Sequence, residues 1–420
     1  MFLFNKKNIN VFYGRLFWII VIFSFFAWFV SVMIDPQGHQ LDYFYFRMED
    51  FWGDATAVTH YVKEKDPYSY KGSNYPPLSY MFYYILALVS VVPNDGYQHY
   101  FHQPLWTTMF CLFLFVTIGL IWQICITQLK NIPHFDAVMI GLALCLSKLM
   151  IFTFERGNVI VLAVLTTIIF VFYYDSNTSW KKEVALVALA IAICLKLSPA
   201  IFGFLLVRNR DWKGVLRLSI YFILLFFVPF LFFEGGLSDC GRFYYNLFHF
   251  FDYYSGWGAT AGTGIATSFL KLGIIIFDTG ITASTYNIFR VLSIELSFFL
   301  LCSIFHEEEK WKQVLNLTII LLLVPAVSFR YNFLYCIPSF ILFLNHLSLY
   351  SAECDSKIRM DNIIIFASFV MMTFVYRCPI SDFFNEHFSI LLLTAVGTYY
   401  SVCAFRKSGH VLPMDWFNKI

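Results

Sequence analysis

Two carboxylates four residues apart, Asp50 and Asp54, stand in the longest polar stretch of the chain, about Asp35 to Pro76. On a helix they share one face. A carboxylate there can act as a general base, can hold a cation, or can be a plain solvated loop side chain. Two cations stand out against apolar surroundings. Lys196 lies deep in an apolar run and Arg330 lies between two such runs. A cation inside a bilayer costs about 2.5–3.5 kcal/mol on insertion scales. It therefore faces a partner or a cavity, or snorkels to the nearer interface. An anionic lipid phosphate is an apt partner for both. Glu295 is a third intramembrane charge, and Arg290 is a plausible structural partner for it. A polar insert, Arg156-Gly157-Asn158, separates two apolar runs, as a site element or as a plain helix–helix turn.

The elements that must position these residues are set by composition. The chain has 420 residues, 59% of them hydrophobic and only 13% charged, with a mean hydropathy of +0.66. A soluble domain carries about 25% charged residues and about 45–50% apolar ones. The interior of a soluble domain of this length could not hide so much apolar surface. A soluble enzyme, a disordered scaffold and a coiled coil are excluded, and the chain reads as an all-α polytopic membrane protein. Its net charge of +2 is too small to suggest nucleic acid as a partner. Phe numbers 51 and aromatics reach 21%, which suits lipid-facing helices and interfacial belts. The ten cysteines are scattered without CxxC spacing, so neither a zinc site nor a dense disulfide framework is expected.

Lys6, Lys7 and Arg15 precede the first apolar run, about Leu16 to Ile34. The positive-inside rule makes the N-terminus cytoplasmic and residues 35–76 a first outer loop. The run is long enough to cross about 30 Å of hydrocarbon and reads as an uncleaved anchor. Within the loop, Asp50 to Lys65 predicts a short surface helix, with Phe51, Ala55, Val58 and Val62 on one face. Further apolar runs fall at about 77–93, 104–129, 134–153, 157–174, 183–207, 214–233, 285–305, 313–329, 331–347, 362–376 and 388–405. The total is roughly 11–13 membrane-spanning or re-entrant helices in one integral membrane domain, 1–420. Residues 234–267 form a second outer loop. Basic residues flank 183–207 on both sides, at Lys181/Lys182 and Arg208/Arg210/Lys213. That run, broken at Pro199, is therefore expected to be re-entrant, and 134–153 with it; the rival reading is two ordinary spans that violate the charge rule. Irregular backbone at membrane depth lines a protein cavity, so these segments are expected to form the site. Cys240 and Cys378 fall outside the cytoplasm, where an oxidising compartment would permit a disulfide.

These residues resemble a known family. Asp50-Phe51 is followed sixteen residues on by Asp66-Pro67-Tyr68, and then by Tyr75-Pro76-Pro77-Leu78 opening a helix. The order is similar to that of glycosyltransferase family 87, GT-C fold enzymes typified by polyprenol-phosphate-mannose-dependent mannosyltransferases. Gly157-Asn158 resembles the family's Gly-Gln-x-Asn element. Leu195-Lys196-Leu197-Ser198-Pro199, followed by Arg208-Asn209-Arg210-Asp211-Trp212, resembles its Lys-x-x-Pro helix and basic turn. Pro325 to Asn332 resembles its Pro-x-Ser-Trp-x-His-His stretch but reads Ser328-Phe329-Arg330-Tyr331-Asn332, without the histidines. The similarity spans roughly residues 40–345.

The resemblance implies inverting transfer of a hexose from a polyprenyl-phosphate sugar to a glycan or glycolipid acceptor, on the outer face of the membrane. Asp50 would be the catalytic base. Asp54, Tyr68 and Tyr75 would position the acceptor or the loop. Lys196, Arg330 and Arg156 would hold the donor phosphate, with Asn158 and Tyr331 as further candidates. No cofactor and no metal is implied, and a bacterial inner membrane is the expected location. Gly256-Trp257-Gly258 through Gly264 has the glycines of a dinucleotide loop without a preceding strand, and reads as an aromatic-rich lid over the sugar. A lipid-linked glycan polymerase or ligase is the nearest rival. A transporter or flippase is the rival of another class, but no internal halves are evident and the outer loops are long and asymmetric.

Overall fold

Helices account for all the regular structure among the described residues of the computed structural model, and no strand occurs there. The described residues are 9–35, 39–42, 51–70, 73–91, 100, 102–249, 262, 264–277, 283–325, 328–353, 360–378 and 382–408. Five helices are long and apolar enough to cross a membrane: Ile9–Ile34, Pro104–Gln128, Trp212–Phe232, Tyr286–Ser303 and Phe388–Lys407. Large apolar side chains lie bare along them. Phe23 is 73% exposed, Phe115 64% and Ile34 79%. Such continuous bare apolar surface needs lipid rather than water around it. The chain is thus an all-α polytopic membrane protein. Shorter apolar helices, such as Pro77–Leu88, Ile160–Tyr173 and Met360–Thr373, complete it.

Both segments expected to be irregular are broken. Helices His134–Cys145 and Lys148–Arg156 meet at a 45° bend. At the break the Ser147 hydroxyl donates to the Leu144 carbonyl at 2.7 Å, satisfying an acceptor that the bend releases. In the second segment the helix Ser179–Leu195 stops at Lys196, whose backbone is extended at φ −148°. Pro199 follows near the start of a 3-10 turn, Ser198–Gly203, which leads into a short helix, Phe204–Arg208. Proline has no N–H to continue the preceding helix, so the break falls where the sequence places it. Beyond it Arg210 adopts φ 55°, and Asp211 caps the next helix, accepting from the Gly214 N–H at 3.1 Å. Asp211 also pairs with Lys182 at 2.7 Å.

The chain divides into two compact units. One comprises Met1–Ala27, Cys125–Lys148 and Ser255–Ile420; the other comprises Trp28–Ile124 and Leu149–Tyr254. In the first, Asp136 is 1% exposed and accepts from Arg15 Nε at 3.0 Å and Trp18 Nε1 at 3.3 Å. Buried Asn316 donates to the Ser303 and Ser401 hydroxyls, both at 3.0 Å. In the second, residues 234–249 dock on the end of the first outer loop. The Glu234 N–H donates to the Lys65 carbonyl at 3.0 Å, and Asn246 Nδ2 donates to the carbonyls of Tyr68 and Tyr70 at 3.1 Å. Cys240 and Cys378 are both free thiols in the structure.

Candidate active site

A short helix is present where the spacing expects one, as Gly53–Val62, and it buries Ala55, Val58 and Val62 as the spacing predicts. It starts on Trp52, which sits in the left-handed region at φ 54°. A bulky residue in that region carries strain of order 1–3 kcal/mol and persists only where its surroundings fix it. Here the indole packs among Trp106, Phe110 and Phe154, and the Trp52 N–H donates to the Glu155 carbonyl at 2.8 Å. That bond ties the start of the helix to the polar insert at 156–158.

Asp54 lies in the first turn, where the helix N-terminus favours a negative charge. Its Oδ1 accepts from Arg156 at 2.7 Å and its Oδ2 from Asn158 Nδ2 at 2.7 Å. Asn158 is fully buried and spends every polar atom. Its Nδ2 also donates to the Tyr75 hydroxyl at 2.9 Å, and its Oδ1 accepts from the Ile160 N–H at 2.9 Å. This fixes the amide orientation, because a flipped amide would turn its oxygen toward the carboxylate.

The insert can bend this tightly because Gly157 adopts φ 65°. A Cβ there would lie 3.0 Å from the Phe110 ring and 3.1 Å from the Ala55 Cβ. Buried Tyr83 completes the turn: its hydroxyl donates to the Gly157 carbonyl at 3.1 Å and accepts from the Val159 N–H at 3.0 Å.

Lys196 arrives from the helix break. The Ser79 hydroxyl donates to the Leu195 carbonyl at 2.7 Å, taking an acceptor that the ended helix leaves over. The ammonium then sits 4.2 Å from the centroid of the Tyr75 ring, a cation–π contact, within reach of the Asp54 charge. Tyr75 is itself held from behind, since the Tyr68 hydroxyl donates to its carbonyl at 3.2 Å. Tyr68 is 2% exposed among Tyr80, Phe230 and Phe243, in the packing that holds the loop.

Four distant segments therefore bring Asp54, Tyr75, Arg156, Asn158 and Lys196 together. Residues 74–328, more than half of the chain, match the model of glycosyltransferase family 87. The chain belongs to glycosyltransferase family 87. The match holds four of the five clustered residues, Asp54 lying before its start. No curated protein and no solved structure matches the chain. As a family 87 member the protein is a membrane glycosyltransferase, with a sugar donor and an acceptor as its substrates.

The remaining sequence candidates are not among these five. Asp50 and the glycine-rich stretch at 251–261 and 263 lie outside the described residues. Arg330 belongs to the other unit, where its guanidinium pairs with Glu386. Tyr331 follows it, 8% exposed, with its ring 5.6 Å from Phe329. Around Arg330 stand three residues that sequence reasoning passed over. Lys148 is 4% exposed and donates to the Asn385 carbonyl at 2.7 Å. Lys271 Nζ lies 2.9 Å from His387 Nε2. Lys148 sits inside the apolar run 134–153, so the reasoning that singled out Lys196 would have found it as well.

His387 lies just before the Phe388–Lys407 span and is fully buried. An ammonium donates to Nε2, so Nδ1 carries the proton and donates to the Ser268 hydroxyl at 2.8 Å, which donates on to the Gly264 carbonyl at 2.8 Å. Burial pushes this imidazole down to about 3, and Lys271, Arg330 and Lys148 push the same way against Glu386 at 3.8 Å. The unfolded chain takes up this proton below about pH 6.5, while the folded protein does not until about pH 3. Stability from this group is fully present above about pH 6.5 and is lost as the pH falls between those values. The thermal midpoint of the detergent-solubilised protein should drop from pH 7 to pH 5, and His387→Gln should flatten that dependence. Equal slopes in the two proteins would assign the effect to another group.

Proposed function

We propose that the protein transfers a hexose from a polyprenyl-phosphate sugar to a glycan or lipid-linked acceptor at the outer face of the membrane, with inversion. The acceptor oxygen attacks the anomeric carbon from the face opposite the phosphate. Its proton passes to the carboxylate of Asp50, the oxygen–carbon bond forms, and the bond from carbon to phosphate oxygen breaks. The lipid phosphate leaves with the electron pair. Its negative charge grows as that bond breaks, so a cation beside it stabilises the transition state more than the ground state. Lys196, with Arg156 alongside, is that cation. Asp54 orients the loop and the incoming acceptor through Arg156 and Asn158.

The observation that carries this reading is the convergence of a carboxylate, two cations, a phenol and an amide from four segments, in a family 87 chain. The test is a transfer assay with purified protein. Polyprenyl-phosphate hexoses are offered in parallel with nucleotide hexoses, and the anomeric configuration of the product is read by NMR. Transfer is expected from the lipid phosphates alone, with inversion. Transfer from nucleotide sugars alone, or with retention, would sink the proposal.

A further inference from the structure

The Gly53–Val62 helix has a second face that the cluster does not use up. Of its four half-buried positions, Asp54, Ala57 and Tyr61 stand at i, i+3 and i+7, one stripe along the helix, with His60 beside Tyr61. Seven residues rise about 10.5 Å, which is longer than one pyranose ring. Ala57 contributes only a methyl group between the ends. The stripe therefore carries the Asp54 carboxylate at one end and the Tyr61 ring at the other, with no large side chain between them.

Both ends are preorganised. Asp54 is set by Arg156 and Asn158. At the far end the Tyr70 ring braces Tyr61, with centroids 4.6 Å apart and planes at 30°. The His60 ring lies 6.3 Å from Tyr61 and 6.5 Å from Tyr70. The Tyr70 carbonyl is itself held, accepting from the Ser73 N–H at 3.0 Å and from Asn246 at 3.1 Å. A half-exposed aromatic pair with a fixed backbone offers a rigid apolar surface beside water. The C–H face of a pyranose is a flat apolar surface whose hydroxyls project at the rim, and it packs on such rings.

We infer that Tyr61 and Tyr70 form an acceptor subsite that stacks a sugar ring at least one unit away from the ring being glycosylated. This rests on the transfer reading above for the class of ligand, and it names the acceptor as an oligosaccharide rather than a single sugar. Tyr61 is thus a specificity-determining residue for acceptor length.

The probes are octyl glycosides of one, two and three mannose rings, titrated into full-length protein in detergent. Wild-type protein should bind the three-ring glycoside about tenfold more tightly than the one-ring glycoside. Tyr61→Ala should remove that advantage and leave one-ring affinity unchanged, while Tyr61→Phe should keep it. If Tyr61→Ala lowers the thermal midpoint, Tyr61→Leu serves in its place. The subsite is overturned if wild-type protein shows no length dependence, or if the Tyr61 variants weaken all three glycosides equally or none. Transfer is read separately. Failure of wild-type protein to use any polyprenyl-phosphate hexose would remove the donor assignment and leave the length dependence to be judged alone.

Discussion

Replacing Asp50 with Asn should lower sugar transfer by about 10²–10⁴-fold, the contribution typical of a positioned general base, while donor binding survives. The variant keeps the side-chain shape and loses only basicity. Asp54→Asn is the informative companion, because the structure says what it would break. Asp54 Oδ1 and Oδ2 each accept a bond at 2.7 Å, from Arg156 and from Asn158. An amide can present only one oxygen, so its NH2 must face one of those donors. The variant should therefore show a lower thermal midpoint together with a partial loss of transfer, whereas Asp50→Asn should keep the wild-type midpoint. Full activity in Asp50→Asn, combined with an inactive Asp54→Asn of unchanged midpoint, would move the base to Asp54. Full activity in both would remove carboxylate base catalysis from this loop.

What the sequence disclosed was local chemistry. The Gly53–Val62 helix was legible because its apolar residues repeat at helical spacing and that face is the one buried. The break at Lys196 was legible because Pro199 cannot continue a helix. Lys196 and Arg330 were singled out because charge is costly among apolar residues, a rule that needs no partner to be known. The partners themselves were hidden. Asp54 meets Arg156 and Asn158 across more than a hundred residues, and nothing in the spacing of one chain encodes that meeting. Asp54 had stood in the sequence as a carboxylate expected to position the acceptor or the loop, with no partner to name. In the structure it is the residue through which the loop is held to the polar insert. His387 was invisible for another reason: a buried neutral imidazole carries no charge to look anomalous, and its role lies in contacts with Lys271 and Ser268.

Lys196→Met should reduce kcat by about 10²–10³-fold, the loss typical when one preorganised stabiliser of transition-state charge is removed. Methionine keeps the stem and the packing over the Tyr75 ring but not the charge. The fold should tolerate the change, because the groups that shape the break are backbone and remote side chains. The Lys196 N–H still donates to the Ala192 carbonyl at 2.9 Å, and the Ser79 hydroxyl still donates to the Leu195 carbonyl. Asp54 is not orphaned either, since Arg156 and Asn158 continue to hold it. The thermal midpoint should therefore stay close to that of the wild type. KM for the donor should change less than kcat, because charge on the phosphate oxygen grows only as its bond to the sugar breaks. Tyr75→Phe separates placement from charge: it keeps the ring beneath the ammonium and loses the bond from Asn158, so its effect should be several-fold at most. A Lys196→Met protein that folds normally and transfers sugar at the wild-type rate would mean that the leaving phosphate is stabilised by other cations.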